Sequence, residues 1–436
     1  MDELVYWIWL SLSCTPGTGT FTNLIAHFDG AKEIYDAELR EISECIGYKT
    51  SDRSLLGNKD LTRAEEIYAF CKKFGVGIVT YNCEGYPPAL RDIQTPPVLL
   101  YYRGKLPDFH KGFYVSAVGT RSLSEYGRKN AFNISYDLAS AGATVVSGMA
   151  LGIDGVAMAG ALAAGKPTVA ILGSGIDVCY PPQHLTLARE IVKNGCIMTE
   201  YPPKTPPAKQ NFPIRNRIIS GISAATIVYE GRERSGSLIT ARYAKEQERT
   251  VYALPGNVGS KSSEVTNLLI KNGAKPITAA EDIIRDFENS YPGVLNPFKL
   301  SEKCPIRVTD ALARFGVSAT TPGDDIFIPY SRASMSAHRE EDPKVAPVAK
   351  DTDAPSSGTE PVFATSQSTS DAPPMIEFDA ETLKLYKKIP LEGECDIEEL
   401  VDGKNDLRSV MKLLLKLEMG KFVVILPGER VARKTK

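Results

Sequence analysis

A run of β-branched and aromatic residues, Phe113–Val118, ends at Gly119 and is followed at once by Thr120, Arg121 and Ser122. The layout recurs down the chain, with strand-like runs ending at Ser147-Gly148, Gly173-Ser174-Gly175, Glu230-Gly231 and Pro255-Gly256. Segments of helical period separate many of these runs, at 125–140, 155–164, 185–194, 215–220 and 237–247, with 264–271 after the last. Strand–helix–strand alternation with Val/Ile/Ala-rich strands predicts a mostly parallel sheet covered on both faces. Right-handed crossovers make it a doubly wound, Rossmann-like α/β fold. In such a sheet the carboxyl ends of the strands share one crevice, and ligands bind there. Glycine at those ends lets a phosphate or a nucleic-acid backbone approach closely.

The rest of the chain divides by pattern. Residues 1–75 read as short helices with glycine turns, forming a small helical domain. The clearest apolar spacing is Leu39, Ile42 and Ile46, then Ile67, Phe70, Cys71 and Phe74. The alternating domain covers 76–295. Beyond it, 296–374 reads as a linker, disordered from about 331, because Ser, Thr, Ala, Pro and Asp dominate and large apolar residues are scarce. In 375–436, helices at 380–388, 397–401 and 406–418 followed by a strand at 421–426 predict a winged-helix-like domain. Arg408, Lys412 and Lys416 fall on one face of its third helix, but cations and acids balance across this tail, which favours protein contacts or weak DNA binding.

Composition excludes several classes. A formal net charge of −2 over 436 residues gives no global field for nucleic acid, so any such site is a local basic patch. Eight scattered cysteines without a Cys-x-x-Cys pair, and no signal peptide, read as reduced thiols in the cytoplasm. The four histidines are too far apart for a helical metal pair, so no metal is expected. The apolar run 4–12 is too short to span a bilayer, so no membrane partner is expected.

Two nucleotide fingerprints are incomplete. Gly173-Ser174-Gly175 lacks its third glycine, since Val178 stands there, although Glu200 could hold a ribose. Gly231 and Gly236-Ser237 have P-loop spacing, but Ser237 replaces the lysine. No cofactor is therefore expected. The segment from Lys209 to Arg217 is different. Lys209, Arg215 and Arg217, with Phe212 and the amides of Gln210, Asn211 and Asn216, sit in one loop entering a helix. Cations neutralise phosphates and an aromatic offers bases a stacking face. The same residues also fit a core phenylalanine with arginines paired to acids. Ser235-Gly236-Ser237 opens a helix whose free amides suit an anion, or serves as a plain cap.

Tyr86-Pro-Pro-Ala-Leu90, Pro96-Pro-Val-Leu-Leu-Tyr-Tyr-Arg-Gly104 and Val118-Gly-Thr-Arg-Ser-Leu-Ser-Glu-Tyr-Gly127 resemble the DNA-processing protein A (DprA/Smf) family. So do Ser147-Gly-Met-Ala-Leu-Gly-Ile-Asp154, Asn211-Phe-Pro-Ile-Arg-Asn-Arg-Ile-Ile-Ser-Gly221 and Ser235-Gly-Ser-Leu-Ile-Thr-Ala241, over about residues 80–280. The resemblance implies a non-catalytic, homodimeric single-stranded-DNA-binding protein that helps load a RecA-type recombinase during natural transformation. It implies that Gly119, Thr120, Arg121 and Ser122 hold a phosphate, that Lys209 pairs with the backbone, that Phe212 stacks a base, and that Arg215 and Arg217 line the groove. Ser147, Gly148, Asn216, Ser235, Gly236 and Ser237 complete the expected DNA surface. Leu268, Leu269 and Ile270 are the expected dimer interface. Two positions depart from the family pattern: Met158 replaces a histidine and Val265 a glycine. The competing readings are an enzyme on a nucleotide-like small molecule, of the phosphoribohydrolase kind, and an adaptor acting through the tail. The loop Pro255-Gly-Asn-Val-Gly-Ser260 only partly matches such an enzyme's phosphate loop.

Overall fold

The computed structural model describes residues 2–232, 235–301 and 304–317, the pair Ile328–Pro329, and scattered positions from Leu385 to Arg433. Two compact units divide the chain, Met1–Lys344 and Val345–Lys436.

The first unit opens with six helices: α1 Glu3–Ser13, α2 Thr20–Ile25, α3 Ala31–Asp36, α4 Leu39–Ile46, α5 Asp52–Gly57 and α6 Thr62–Phe74. Helix α1 starts on Asp2, whose side chain accepts the Leu4 amide at 3.3 Å, and buries Trp7, Ile8, Trp9 and Leu10. The strands follow: β1 Gly77–Thr80, β2 Leu99–Gly104, β3 Phe113–Val118, β4 Ala143–Ser147, β5 Thr168–Ile171, the short β6 Val178–Cys179, β7 Cys196–Thr199, β8 Ala225–Val228, β9 Thr250–Ala253 and β10 Lys275–Pro276. Nine of them form one sheet in the order β1-β2-β7-β5-β4-β3-β8-β9-β10. It is parallel from β7 to β10 and antiparallel at β1 and β2. The expected mostly parallel sheet is therefore present, with an antiparallel edge.

The helices of this sheet are α7 Glu125–Ser140, α8 Ile153–Ala163, α9 Leu185–Asn194, α10 Asn211–Ile222, α11 Gly236–Glu246, α12 Glu264–Lys271 and α13 Glu281–Phe287. Central β3 is buried along its whole length and shows how both faces are covered. Phe113, Val115 and Ala117 join the core that holds Phe132, Met158 and Ile191 from α7, α8 and α9. Tyr114 and Val118 join the opposite core, with Ile218, Ile219, Ala241 and Val265 from α10, α11 and α12. The period of two in the strand thus feeds two helical layers. The N-terminal helices have no separate core: Trp7, Leu10 and Ile67 belong to the same apolar cluster as Leu99, Tyr101 and Phe113.

The packed unit also runs past residue 295, where the sequence predicts a linker. A 3-10 turn spans Pro297–Ser301, and α14 Val308–Arg314 buries Ala311 and Leu312, with Phe315 just after it. Gly316 lies against Thr186 at the start of α9. This helix is only seven residues long, too short for its apolar spacing to stand out in the sequence. The pair β11 Ile328–Pro329 lies beside β6.

In the second unit, β12 Glu394–Asp396, β14 Arg430–Arg433 and β13 Val423–Leu426 form an antiparallel sheet in that order. Leu385, Ile389, Leu400, Val410, Leu414, Val423 and Val431 are buried together. The strand expected at 421–426 corresponds to β13. The three expected helices lie outside the described residues except at isolated positions, as do Arg408, Lys412, Lys416 and the stretch from 331 to 384.

Leu312→Ala tests the extended boundary. It should destabilise the first unit by about 2–5 kcal/mol, the range for deleting a buried leucine, in chemical denaturation. A true linker residue would leave the transition unchanged.

Candidate nucleic-acid interface

Strand order sets the location. From β3 the chain winds to β4, β5 and β7 on one side, then crosses to β8 and β9 on the other. The switch point lies between β3 and β8, where the crossovers part and leave a crevice at the carboxyl ends.

Two loops meet there backbone to backbone. Gly152 has φ +85°, and a Cβ on it would come within 2.3 Å of the Thr120 carbonyl oxygen. Ile153 donates its amide to that same carbonyl at 3.2 Å, and Thr120 donates its own to the Glu230 carbonyl at 2.9 Å. Ser122 N–H donates to Thr120 Oγ1 at 3.2 Å. The Thr120 and Ser122 amides are thus engaged inside the protein, while the Arg121 and Ser122 side chains are exposed. The expected phosphate contact at this loop falls to those side chains.

Beneath the loops lies a buried polar knot. Asp154, 7 % exposed, accepts the Gly148 amide at 3.2 Å and that of Ala150 at 3.4 Å. Arg215, 4 % exposed, donates to the Gly148 carbonyl at 3.0 Å and to the Ile171 carbonyl. A side chain at Gly148 would strike both, 2.6 Å from Arg215 Nη2 and 2.8 Å from Asp154 Oδ2. Burial pushes the Asp154 carboxyl above its usual range, against the pull of Arg215. Burial likewise pulls the Arg215 guanidinium down to about 10, against the pull of Asp154.

Helix α10 begins at Asn211, so the segment expected as a loop is the helix's own first turns. Helical period then sorts its residues. Phe212, Arg215 and Asn216 share one face, whereas Arg217 points elsewhere. Phe212 is half-buried against Gly173 and lies 5.4 Å from the Tyr180 ring. The Arg121 guanidinium stands 5.8 Å and that of Arg215 5.9 Å from its ring centroid, both within cation–π range. Tertiary folding thus joins Arg121 to Phe212. Lys209 is exposed in the turn before α10. Asn216 accepts from Arg215 Nε at 3.3 Å and donates to the Gly236 carbonyl at 3.4 Å, bridging to α11.

Several expected contacts have other roles. Ser147 is fully buried and donates to the Ala117 carbonyl at 2.6 Å. Gly148 is spent on the Asp154–Arg215 knot. Arg217, 2 % exposed, grips Glu200 with two 2.7 Å bonds and donates to the Thr95 carbonyl at 2.8 Å. Burial alone would lower the Arg217 pKa, but the Glu200 carboxylate raises it overall. Arg217 therefore does not line a groove, and Glu200 is not a ribose acceptor. Ser235 and Ser237 hydrogen-bond each other at 2.6 Å over Gly231, and Ser237 is buried. Gly236 is exposed. The enzyme-like loop after β9 is also closed: Gly256 donates its amide to Asn267 Oδ1 at 3.2 Å and accepts from Asn267 Nδ2 at 3.0 Å.

The residues that depart from the family pattern pack inward. Met158 and Val265 are both fully buried, and Val265 donates its amide to the Gly231 carbonyl at 3.3 Å. Asp154 and Glu230 went unassigned in the sequence. Glu230 holds the start of α7 by accepting the Ser124 amide at 2.9 Å, and only its place at a strand end signalled it. Among the described residues no acid, cysteine and histidine cluster could hold a metal, and no helix is long and apolar enough to cross a membrane.

Arg217→Met should destabilise the protein by about 3–5 kcal/mol by stranding the buried Glu200 charge. Adding Glu200→Leu should restore most of the loss. Oligonucleotide affinity per folded molecule should not change, which melting and anisotropy on one preparation will check.

Comparison with known proteins identifies the family. Residues 77–288 match the family model described as DNA recombination-mediator protein A. The chain is 36 % identical over 232 residues to DNA processing protein DprA of Bacillus subtilis, covering 53 % of this chain and 78 % of that one. It is 41 % identical over 212 residues to protein Smf of Escherichia coli, covering 48 % of this chain and 56 % of that one. The X-ray structure of DNA processing protein A from Streptococcus pneumoniae superposes with a TM-score of 0.58 at 30 % identity, over 66 % of this chain and 99 % of that one. With its doubly wound sheet and its crevice lined by Arg121 and Phe212, the chain belongs to the DNA processing protein A (DprA/Smf) family.

Proposed function

We propose that this protein is a single-stranded-DNA-binding mediator. In this reading it protects incoming DNA and helps load a RecA-type recombinase in natural transformation and recombination, without catalysing a reaction. The observation that carries it is the pairing of exposed Arg121 with half-buried Phe212 at the switch point. A cation and an aromatic face side by side serve a phosphate and its base, and every base has a π-face, so the site tolerates any sequence. Ser122, next to Arg121, and Lys209, three residues before Phe212, are exposed as well. The net charge of −2 leaves attraction to this local patch.

Phe212→Ala should weaken single-strand binding by about 1–3 kcal/mol. Arg121→Ala should also lower the slope of log affinity against log salt by roughly 0.7, the single-strand value for one phosphate contact. Anisotropy titrations with single-stranded, double-stranded and mononucleotide ligands measure both. An unchanged affinity and slope for the two variants would remove this crevice from DNA binding.

The homodimer belongs to the same proposal. In α12, Leu268 is 43 % exposed, and Leu269 lines a cleft of 730 Å³ with Leu238, Val251, Arg242 and Lys245. An apolar floor with an exposed leucine beside it suits a second copy of the chain. Leu269→Glu should convert a dimer into a folded monomer by light scattering. A wild type that is monomeric at micromolar concentration would overturn the dimer.

A further inference from the structure

Tyr126 sits in the first turn of α7, close after the Arg121 loop, and is 49 % exposed. Its hydroxyl donates to the Pro255 carbonyl at 2.8 Å, at the start of the loop after β9. One end of the ring is therefore fixed while much of its surface faces solvent. Lys129, one turn along the same face of α7, is exposed. The loop after β9 carries Val258, 99 % exposed, and the exposed Lys261. The hydroxyl bond ties α7 to the loop after β9, but a tyrosine placed for packing would also bury its ring, and Val258 is left almost wholly exposed.

Phe212 lies toward the β5 side of the switch point, against Gly173 and Tyr180. Tyr126 lies on the β9 side, through Pro255. Arg121, at the end of β3, falls between them in strand order. We propose that Tyr126 is a second base platform, and that the bound single strand runs across the carboxyl rim from Phe212, past Arg121, to Tyr126, with Lys129 and Lys261 meeting its phosphates. The inference rests on the single-strand reading of the Phe212 site and extends it. The chemistry is the same alternation of fixed aromatic and mobile cation that binds single strands without sequence preference. The hydroxyl anchor matters because a ring already held in place loses little freedom when a base stacks on it.

The test uses the full-length protein with oligothymidylates of about 6 and about 20 nucleotides, one near the lower end of the roughly 4–16 nucleotides that a single-strand fold covers and one beyond it. Tyr126→Ala should weaken the long ligand roughly five- to a hundredfold, the stacking range, and leave the short one bound as before. Tyr126→Phe, which keeps the ring, should retain most of the affinity. A second measurement needs no variant: a long oligonucleotide carrying 5-iodouracil, irradiated with the wild-type protein, should form adducts on peptides containing Phe212 and on peptides containing Tyr126. Adducts at Phe212 alone, or a long-strand affinity untouched in Tyr126→Ala, would overturn the second platform while leaving the first site standing. Absence of adducts at both rings would show that the rim holds no strand, and both readings would fall.

Discussion

The buried contact between Asp154, Gly148 and Arg215 is the constraint on which the carboxyl rim of the sheet depends. Asp154 gathers the amides at the end of β4, and Arg215 ties the Gly148 carbonyl to that of Ile171 at the end of β5. Three segments far apart in sequence are thereby fixed at one point. Desolvating a carboxylate and a guanidinium is costly, and both pKa shifts run in the direction of that cost. Hydrogen bonds to four backbone groups offset it, and the knot holds only because Gly148 has no side chain. Phe212, one turn before Arg215 on the same face of α10, takes its place from this anchor.

The Arg217–Glu200 pair does comparable work on the opposite face of α10. It locks the helix to the end of β7 and, through Thr95, to the segment before β2. One arginine of the Asn211–Arg217 motif therefore braces the ring from below, and the other braces the helix. A motif rich in cations is here largely a framework for one aromatic ring and for the cations beside it, Arg121 and Lys209. The two arginines of the motif are consumed internally by Asp154 and Glu200, while Arg121 and Lys209 stay exposed.

The N-terminal helices and α14 enlarge the core beneath this rim. Trp7, Leu10 and Ile67 share an apolar cluster with Leu99, Tyr101 and Phe113. The sheet's antiparallel edge at β1 and β2 is covered by the same helices, which leaves the carboxyl ends of β3, β4, β5 and β8 as the open side. Removing apolar surface from water on both faces of the sheet stiffens the strands from which the loops spring.

The sequence by itself determined the fold class and directed attention to the carboxyl rim of the sheet. The alternation of β-branched runs with helical segments, each run ending in glycine, is set by local periodicity and turn chemistry, so the parallel sheet and its glycine-edged rim were legible before any contact was known. The Asn211–Arg217 segment was legible as a cluster of cations and amides around Phe212. Which of its arginines meet solvent was decided only by the tertiary structure. A helix starting at Asn211 turns Arg215 and Arg217 to different sides, and whether an acid waits there depends on Asp154 and Glu200, which lie in other elements. Ser147 looked like a ligand by position, but its hydroxyl was claimed by the Ala117 carbonyl of the neighbouring strand. The continuation of the core through Leu312 and Phe315 was equally invisible, because a short helix announces itself only through the surface it covers. Period and turn type are local properties of the chain; burial and charge pairing belong to residues brought together from a distance.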